Sequence, residues 1–375
     1  MRILLMGGSG SIILRRYIEH VLLDNGFEIH LATQCRSTET VEFCKKNNIK
    51  LVKSNEKVIL LSRIPKLGRI LDLVITIVQL YKKYDRFHVH YMDKASLLSA
   101  MILRKKCDKV IGTYWGSDLL RKSDDKLLGE KRFLKYFDII SLPTIGMKEK
   151  FLSIYNAEYK GRVSCVRFGV QGFEDIKGVL KHETKEECKE YFGFQREKVV
   201  IAIGYNGNKA QQHIKVIESL SKLPNDFLKE LVLVFQMTYG GFTQEYQHEI
   251  ISALEGLECD VKIFSEFMND TDVARLRIAA DIFVHAQISD ALSASIQEYV
   301  YAGAVVLNPM WIKYIETEEI GIDIKEYSKF EEIADIVKEI CDKGIKTNNE
   351  NRMALEQLTS WSSVRKGWLM LYNGS

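Results

Sequence analysis

The chain has 375 residues, of which 46% are hydrophobic and 27% charged, so it is long enough for two domains with their own cores and too apolar to be disordered. No run of about 18 apolar residues occurs, which excludes a membrane-spanning helix, and the sequence becomes glycine-rich too early for a signal peptide. The seven cysteines are scattered without a C-x-x-C pair, which favours reduced thiols in a cytoplasmic protein.

The net charge of +3 hides a difference between the two halves of the chain. Residues 1–170 contain 31 Lys and Arg against 17 Asp and Glu, a balance of +14, whereas the remaining residues contain 22 against 33, a balance of −11. A basic half of this kind favours an anionic partner, either nucleic acid or a membrane surface. No nucleic-acid recognition motif accompanies the charge, so we expect no nucleic-acid partner.

The first elements predict the opening of a doubly wound sheet. The apolar run Arg2 to Met6 is typical of a strand; the loop G-G-S-G-S, an amphipathic helix over 12–23 and a second strand over 27–33 follow it. A dinucleotide site would need G-x-G-x-x-G and an acidic residue after the second strand, where Thr33 stands instead. The loop therefore argues against a dinucleotide, and we expect no cofactor.

Residues 53–80 form a basic and apolar segment. Arg63, Lys66 and Arg69 alternate there with apolar residues around a proline and a glycine. Such a segment suits docking on an anionic bilayer, which the basic first half would assist. The alternative is a loop that leads into a core helix over 71–81.

Two more strands of the first half end in polar residues. In the alternating run 87–91, His88 and His90 share one face, but the sequence offers no third ligand for a metal. We therefore expect His90 to end a strand and His88 to be packed inside. The strand 110–113 leads into the turn W-G-S-D, where Asp118 can cap a helix.

The second half predicts another set of strands and helices. The turn Gly204–Lys209 follows its first strand, and its amides can cradle a phosphate with help from the Lys209 charge, unless it is a plain strand-to-helix turn. The run Asp270-Thr271-Asp272 matches a D-x-D metal motif, but it opens a helix over 273–280 and capping explains it. We expect no metal. The predicted strands lie over 198–203, 231–235 and 261–264. Before them come a strand and glycine turn over 163–170 and a charged, helix-prone stretch over 171–197.

The stretch 290–307 organises the second half. It follows a strand-like run and a short polar loop. Ser293 or Ser295 can cap a helix that stops near Gly303, and residues 304–307 are typical of the next buried parallel strand. This arrangement points the start of a helix at the carboxyl edge of a parallel sheet.

Asp290 and Glu298 lie eight residues apart, one before this helix and one inside it. Both can face a ligand that crosses the helix N-terminus, where free N–H groups and the helix dipole favour an anion. Carboxylates accept hydrogen bonds from sugar and ribose hydroxyls, and the helix end suits a diphosphate. The pattern therefore predicts a nucleotide sugar, with an ordinary helix N-terminus as the alternative.

The acidic-x7-Glu pattern of this stretch resembles the signature of GT-B glycosyltransferases, particularly the large retaining family numbered four. The resemblance implies an α/β GT-B fold, with two Rossmann-like doubly wound domains facing across a cleft, and a reaction with retention. The implied parts are an acceptor-binding domain over 1–170, a crossover over 171–197, a nucleotide-sugar-binding domain over 198–355, and a C-terminal helix over 356–375 that returns toward the first domain.

The resemblance also implies roles for individual positions. In the family, the first acid and the amides after it hold the donor sugar, and the second Glu holds the ribose. Asp290 is one methylene shorter than the usual Glu. The W-G-S-D turn resembles a cleft loop whose polar residue lies near the reacting groups, so Asp118 would orient an acceptor hydroxyl or act as base. The implied donor-binding residues are Gly8, Asn206, Gly207, Lys209, Phe267, Asp290, Ala291, Leu292, Ser293 and Glu298; the implied catalytic residues are His90, Asp118 and Asp290.

The predicted phosphate loop departs from the family pattern, which usually has an Arg and a Lys there. This chain has Tyr205, Asn206 and only Lys209. The run G-x-N-G with a later His213-Ile214 resembles bacterial transferases that add 4-acetamido-4,6-dideoxygalactose to a polyprenyl-linked glycan. We therefore expect a metal-independent glycosyltransferase that acts on a lipid-linked saccharide in bacterial surface polysaccharide (capsule) synthesis, bound peripherally to the inner face of the cell membrane. The alternatives are a sugar-nucleotide epimerase of the same fold and a non-catalytic partner subunit.

Overall fold

The structure is a computed structural model that describes residues 1–7, 11–32, 38–52, 83–241, 243–345 and 350–373. It divides into two compact units, the first made of Met1–Gly169 with Trp361–Ser375 and the second of Val170–Ser360. The sequence predicts divisions after residues 170 and 355, within a few residues of these boundaries, and the predicted crossover 171–197 lies in the second unit. The predicted functional residues Gly8, Arg63, Lys66 and Arg69 lie outside the described residues.

Seven parallel strands form the sheet of the first unit. They are β1 (Arg2–Met6), β2 (Glu28–Ala32), β3 (Lys50–Val52), β4 (Tyr84–His90), β5 (Cys107–Thr113), β6 (Ile139–Leu142) and β7 (Val163–Cys165). Their order is β3-β2-β1-β4-β5-β6-β7, so the winding reverses between β1 and β4. Ile3, Leu4 and Leu5 of the central strand are fully buried, as a strand covered on both faces requires. The carboxyl ends of β1 and β4 mark the place where such a sheet usually binds a ligand.

The described helices of the first unit connect these strands. The first begins as an α-helix and continues as a π-helix over Ile18–Leu22, which fills the predicted range 12–23. Short 3₁₀ turns cover Arg104–Lys106 and Ala157–Arg162. The α-helices are α1 (Ile12–Tyr17), α2 (Thr38–Lys46), α3 (Lys94–Leu103), α4 (Ser117–Leu120), α5 (Asp124–Leu134) and α6 (Ile145–Tyr155).

Six parallel strands form the sheet of the second unit. They are β8 (Val199–Ile203), β9 (Leu231–Gln236), β10 (Asp260–Phe264), β11 (Ile282–Val284), β12 (Val305–Pro309) and β13 (Lys325–Tyr327). Their order is β10-β9-β8-β11-β12-β13, so the winding reverses between β8 and β11. The prediction of two doubly wound parallel α/β sheets is therefore confirmed.

The described helices of the second unit pack around this sheet. They are α7 (Gly172–Leu180), α8 (Lys185–Tyr191), α9 (His213–Leu220), α10 (Asn225–Leu228), α11 (Gln244–Leu254), α12 (Asp270–Ala279), α13 (Ala294–Ala302), α14 (Ile315–Glu319), α15 (Glu332–Lys343) and α16 (Glu350–Thr359). A 3₁₀ turn over Lys209–Gln211 precedes α9. Two apolar clusters, one on each face of the sheet, form the core.

The last described helix, α17 (Trp361–Asn373), belongs to the first unit. Trp368 and Tyr372 are fully buried; the indole N–H of Trp368 donates to the Arg167 carbonyl at 2.7 Å, and the hydroxyls of Tyr372 and Tyr17 lie 2.6 Å apart. The sequence predicts one helix over 358–372, whereas the helix is interrupted at Ser360, between α16 and α17. The core role of both tryptophans is confirmed, since Trp361 is 7% exposed. None of the helices in the described part of the chain is both long and apolar enough to cross a membrane.

Candidate functional site

The loops at the carboxyl edge of the second sheet meet where its winding reverses. The Gly204 N–H after β8 donates to Val284 of β11 at 3.1 Å, and the side-chain amide of Gln212 donates to the Ala286 carbonyl at 2.8 Å. These bonds join the loop after β8 to the loop after β11. A doubly wound sheet binds ligands at this edge, so the two loops define the candidate site.

Asp290 lies in the loop between β11 and α13. Its Oδ1 accepts from the N–H of Ala291 at 2.7 Å, and its Oδ2 accepts from the Tyr205 hydroxyl at 3.4 Å. The same Oδ2 lies 3.7 Å from Nε2 of His285. About 18% of the Asp290 side chain is exposed, so the carboxylate is held by its neighbours and still reaches solvent.

Several buried polar atoms beside Tyr205 and Asp290 lack partners. His285 Nε2, the Tyr314 hydroxyl and both amide atoms of Gln211 make no hydrogen bond with any residue that the structure describes. A buried polar group without a partner costs about 1–3 kcal/mol, and native proteins retain few of them. Burial, reinforced by the Asp290 charge, raises the pKa of Tyr314 well above its usual value, so this hydroxyl keeps its proton. The cluster therefore indicates a place for a polar ligand.

The start of α13 supplies backbone donors beside Asp290. The Ser293 hydroxyl accepts from the N–H of Ile296 at 3.3 Å, and Gly303 ends the helix in the left-handed conformation at φ 103°. The predicted cap and stop are confirmed. Asp290 occupies the N–H of Ala291, but the N–H of Leu292 has no acceptor among the described residues. The N-terminal N–H groups of this nine-residue helix remain suited to an anion.

Glu298 of α13 forms a buried ion pair with Arg277 of α12. Arg277 Nε donates to Glu298 Oε2 at 3.1 Å, and its NH1 donates to Gln236 Oε1 at 3.0 Å and to the Tyr299 hydroxyl at 2.8 Å. The side chains of Arg277 and Glu298 are 3% and 15% exposed. Burial raises the pKa of the Glu298 carboxyl, and the neighbouring Arg277 cation opposes this shift. The ion pair fixes one carboxylate oxygen and leaves acceptor capacity on the other.

Gly172, at the start of α7, lies against the Glu298 carboxylate. A Cβ at this position would be 2.6 Å from Glu298 Oε1, closer than real Cβ atoms come to other heavy atoms. Any larger residue would displace Glu298 or α7. A glycine is therefore required here to make space for the carboxylate.

The predicted phosphate loop uses several of its own amides. The Gly207 N–H donates to the Tyr239 carbonyl at 2.8 Å, and the Asn208 N–H donates to Asn206 Oδ1 at 2.9 Å. The Lys209 ammonium pairs with Glu249 at 2.9 Å and lies 5.0 Å from the Tyr246 ring centre. Because this ion pair is largely exposed, it holds Lys209 weakly. In the part of the chain described, the N–H groups of Tyr205 and Asn206 have no acceptor.

Phe267 lies on the loop between β10 and α12, at the same edge of the sheet. It is 86% exposed, which is unusual for a phenylalanine. The D-x-D residues start α12 nearby: Asn269 caps the helix by accepting from the N–H of Asp272 at 2.9 Å, and Asp272 accepts from the Tyr191 hydroxyl at 2.9 Å. Within the described ranges, no group of three or more His, Cys, Asp or Glu is arranged to hold a metal ion.

In the first unit, His90 ends β4 where the winding of that sheet reverses. It is fully buried, and burial lowers its pKa to about 3. The Trp115 indole N–H donates to His90 Nδ1 at 3.4 Å, so the neutral ring carries its proton on Nε2. This Nε2–H has no acceptor among the residues described. His88 lies inside the core as predicted and hydrogen-bonds through both ring nitrogens, to Tyr372 and Thr113.

Asp118 lies on the short helix α4 and joins the loops after β4 and β5. Its side-chain oxygens accept from the N–H groups of Met92 at 2.7 Å, Trp115 at 2.9 Å and Gly116 at 2.9 Å. The residue is 1% exposed, and burial raises its pKa while these donors oppose the shift. Because three backbone donors occupy the carboxylate, the geometry favours a structural role. The catalytic role of Asp118 stays a prediction.

Sequence reasoning missed Arg277, His285 and Tyr314. A helical arginine is usually solvent-exposed, so the sequence gives no sign that Arg277 lies in the core. His285 extends the strand-like run before the acidic pair, and its position directly after a central strand was the available signal. Tyr314 is 24 residues beyond Asp290, and only the fold brings the two together.

Residues 2–140 match the family model described as "Glycosyl transferase 4-like". A search of curated protein sequences gave no match.

Solved structures match the whole chain. A glycosyltransferase from Rickettsia africae is 17% identical, with 100% of this chain and 99% of that chain covered and a TM-score of 0.74. Anabaena HepE in complex with UDP and glucose is 15% identical, with full coverage of both chains and a TM-score of 0.73. The sucrose-phosphate synthase from Thermosynechococcus elongatus is 13% identical over 99% of this chain and 98% of that chain, with a TM-score of 0.70. The chain therefore has the fold of the GT-B glycosyltransferases, and the family match and the structural neighbours support a glycosyltransferase activity.

Proposed function

We propose that the protein transfers a sugar from a nucleotide-diphospho-sugar to a saccharide acceptor, and that the second unit binds the donor. The observation that carries the proposal is the Glu298 carboxylate, which Arg277 holds beside the carboxyl edge of the second sheet. A carboxylate fixed in this way accepts hydrogen bonds from ribose hydroxyls at low entropic cost. The match of residues 2–140 and the complex of HepE with UDP and glucose support a nucleotide-sugar donor.

The donor would extend along the loops of this edge. The exposed Phe267 ring offers a surface for the nucleobase, Glu298 takes the ribose, and Asp290 takes the sugar. The diphosphate would lie at the start of α13 and on the N–H groups of Tyr205 and Asn206. This order follows the chemistry of the groups: acceptors face hydroxyls, and donors face phosphate.

The diphosphate is already a good leaving group, so catalysis requires positioning and stabilisation of the charge that develops on it. The N-terminus of α13 and the loop amides supply dipoles for that purpose without a metal ion. Lys209 adds a positive charge if it leaves Glu249, a surface pair worth less than about 1 kcal/mol. We propose that the reaction retains the anomeric configuration, which follows from the acidic-x7-Glu resemblance. Determination of the product anomer by NMR tests this.

We propose that the first unit binds the acceptor and that His90 contacts it, because the buried Nε2–H of His90 is a donor without a partner in the described structure. The basic balance of residues 1–170 suits an anionic, lipid-linked saccharide at the inner face of a bacterial membrane, as in surface polysaccharide synthesis. Arg63, Lys66 and Arg69 would dock on that surface.

Calorimetry with a panel of UDP, GDP and dTDP and their sugars tests donor binding. We expect at least one nucleotide to bind and Glu298→Gln to weaken it about tenfold or more, the difference between a charged and a neutral hydrogen bond. Glu255→Gln, an exposed position of the same unit, is the matched control. Equal affinities for the Glu298 variant and wild type would remove the ribose assignment.

A product assay on the donor alone separates transfer from its alternatives. Conversion of the donor without an acceptor would identify an epimerase, whereas tight binding without any turnover on acceptor mixtures would identify a non-catalytic partner subunit. Transfer requires both substrates.

Sedimentation with anionic vesicles tests membrane docking. Charge reversal at Arg63, Lys66 and Arg69 should leave the protein in the supernatant. Reversal of three exposed lysines elsewhere in the first unit, Lys45, Lys46 and Lys50, controls for the net charge. An equal loss of binding in both triple variants would mean that docking has no specific site.

A further inference from the structure

We propose that His285 and Tyr314, together with Asp290, form the subsite that binds a hydroxyl group of the donor sugar. This inference rests on the proposed function and names two residues that the acidic pair alone does not specify. It depends on where His285 carries its proton and on which polar atoms around Asp290 lack partners.

Asn308 selects the tautomer of the His285 ring. Its amide Nδ2 donates to the carbonyls of Pro309 at 3.2 Å and Ile312 at 2.7 Å, so its Oδ1 must face the ring. His285 Nδ1 lies 2.9 Å from that oxygen and therefore carries a hydrogen. In the neutral ring, Nε2 then has a lone pair and no hydrogen.

This Nε2 lone pair faces the Asp290 carboxylate at 3.7 Å. Two hydrogen-bond acceptors thus lie side by side, and Nε2 is buried without a donor among the described residues. In a protein interior such an arrangement is unfavourable until a donor enters. A ligand group with a polar hydrogen satisfies it, whereas a phosphate, which brings only acceptors, does not.

Tyr314 supplies the complementary group. Its hydroxyl is buried and makes no close hydrogen bond with a described residue, although it lies near enough to the Asp290 carboxylate and the Ser293 N–H to interact with both. A sugar hydroxyl can donate to His285 Nε2 or Asp290 Oδ2 and accept from the Tyr314 hydroxyl. A single sugar hydroxyl therefore gives hydrogen-bond partners to His285 Nε2 and to the Tyr314 hydroxyl.

The surrounding residues hold the His285 ring in this orientation. The Tyr205 ring stacks on it, with centres 6.1 Å apart and planes 12° from parallel, and the same tyrosine donates to Asp290. The Tyr327 hydroxyl donates to the His285 carbonyl at 2.8 Å. The acceptor is therefore fixed before the sugar arrives, which reduces the ordering cost of binding.

The test compares the affinity for a nucleoside diphosphate with that for its tightest-binding sugar derivative in the panel, with EDTA present to exclude a metal-bridged complex. Tyr314→Phe should weaken the sugar nucleotide about three- to tenfold and leave the nucleoside diphosphate unchanged. It should change Tm little, because the hydroxyl makes no close hydrogen bond with a described residue. His285→Phe should shift the affinity ratio in the same direction. The control Tyr155→Phe, which removes the buried bond from the Tyr155 hydroxyl to the Leu127 carbonyl in the first unit, should lower Tm and leave the ratio unchanged.

Two results with the variants would overturn the subsite. One is an unchanged affinity ratio in both the Tyr314 and His285 variants; the other is a Tyr314 variant that loses stability and binds both ligands more weakly, as a structural residue would. A wild-type protein that binds a nucleoside diphosphate but gains nothing from any sugar would also overturn it, while the proposed function stands. A wild-type protein that binds no nucleotide would overturn both.

Discussion

Replacement of Arg277 by methionine should destabilise the second unit by about 3–5 kcal/mol, the cost of leaving one member of a buried ion pair alone. The change removes the bond to Glu298 at 3.1 Å and the bonds to Gln236 at 3.0 Å and Tyr299 at 2.8 Å. Gln236 and Tyr299 are buried, so their oxygens lose a donor that water cannot replace. Methionine fills a similar volume, which limits the cost of a cavity.

The charge of Glu298 makes this penalty depend on pH. Without Arg277, the Glu298 carboxyl can avoid a buried charge by taking up a proton. The free energy of this protonation follows from the unfolded pKa near 4.3: it is about 4 kcal/mol at pH 7.5 and about 1.6 kcal/mol at pH 5.5. Burial already raises the pKa of Glu298, and loss of the cation raises it further. A raised folded pKa gives stability that is complete below the unfolded pKa and is lost as the pH rises. The penalty should therefore fall by about 2–3 kcal/mol between pH 7.5 and pH 5.5.

Urea unfolding followed by hydrogen exchange of peptides from α12 and α13 measures this penalty within the second unit, so the first unit does not obscure it. The matched control is the double variant Arg277→Met with Glu298→Met. Its penalty should be the same at both pH values, because no charge is then buried alone, and should keep only the cost of the donors that Gln236 and Tyr299 lose, about 1–3 kcal/mol. A single-variant penalty below about 1 kcal/mol, or one that is equal at both pH values, would refute the reasoning.

Three further predictions follow from single positions. Gly172→Ala should destabilise the second unit by about 1–3 kcal/mol and weaken donor binding, because its Cβ would meet Glu298 Oε1. The control is Gly178→Ala on the same helix, where nothing lies within 4 Å of the added Cβ; it should increase the stability by about 0.5–1 kcal/mol, measured by thermal melting. Burial lowers the pKa of His90 to about 3, so its neutral form contributes stability above pH 6.5 that is lost as the pH falls. Between pH 8 and pH 5 the first unit should lose about 2 kcal/mol in this way, and His90→Asn should flatten the plot of its stability against pH by that amount. Asp118→Asn should cost the first unit about 1–3 kcal/mol, since an amide N–H would face backbone donors. An unchanged melting temperature with lost turnover would instead support its predicted catalytic role.

Local rules predicted the backbone of the site well. Ser293 caps α13 and Gly303 ends it because both depend on a few neighbouring residues, which a sequence displays directly. The same locality explains why the alternation of apolar runs predicted two doubly wound sheets. The exact ends of the strands differed by a few residues, since sheet pairing decides them.

Contacts between distant residues were not predictable in the same way. Arg277 meets Gln236 across 41 residues, and Asn308 meets His285 across 23, so no spacing rule links them. The ion pair of Lys209 with Glu249, 40 residues away, is a further contact that no spacing rule indicates. The three backbone N–H groups that donate to the Asp118 carboxylate are likewise brought together only by the fold.

The placement of α17 has a consequence for biosynthesis. Trp368 and Tyr372 belong to the core of the first unit, yet residues 361–373 leave the ribosome only after the whole second unit has been translated. Until then, the Tyr17 hydroxyl and the His88 ring lack the hydrogen bonds that they make with Tyr372, so the first unit cannot complete its fold. The second unit can fold as soon as it emerges. A stable fragment for expression of the first unit therefore requires residues 1–169 and 361–373 to be joined by a linker, and a chain cut after residue 360 should be a substrate for quality-control proteases.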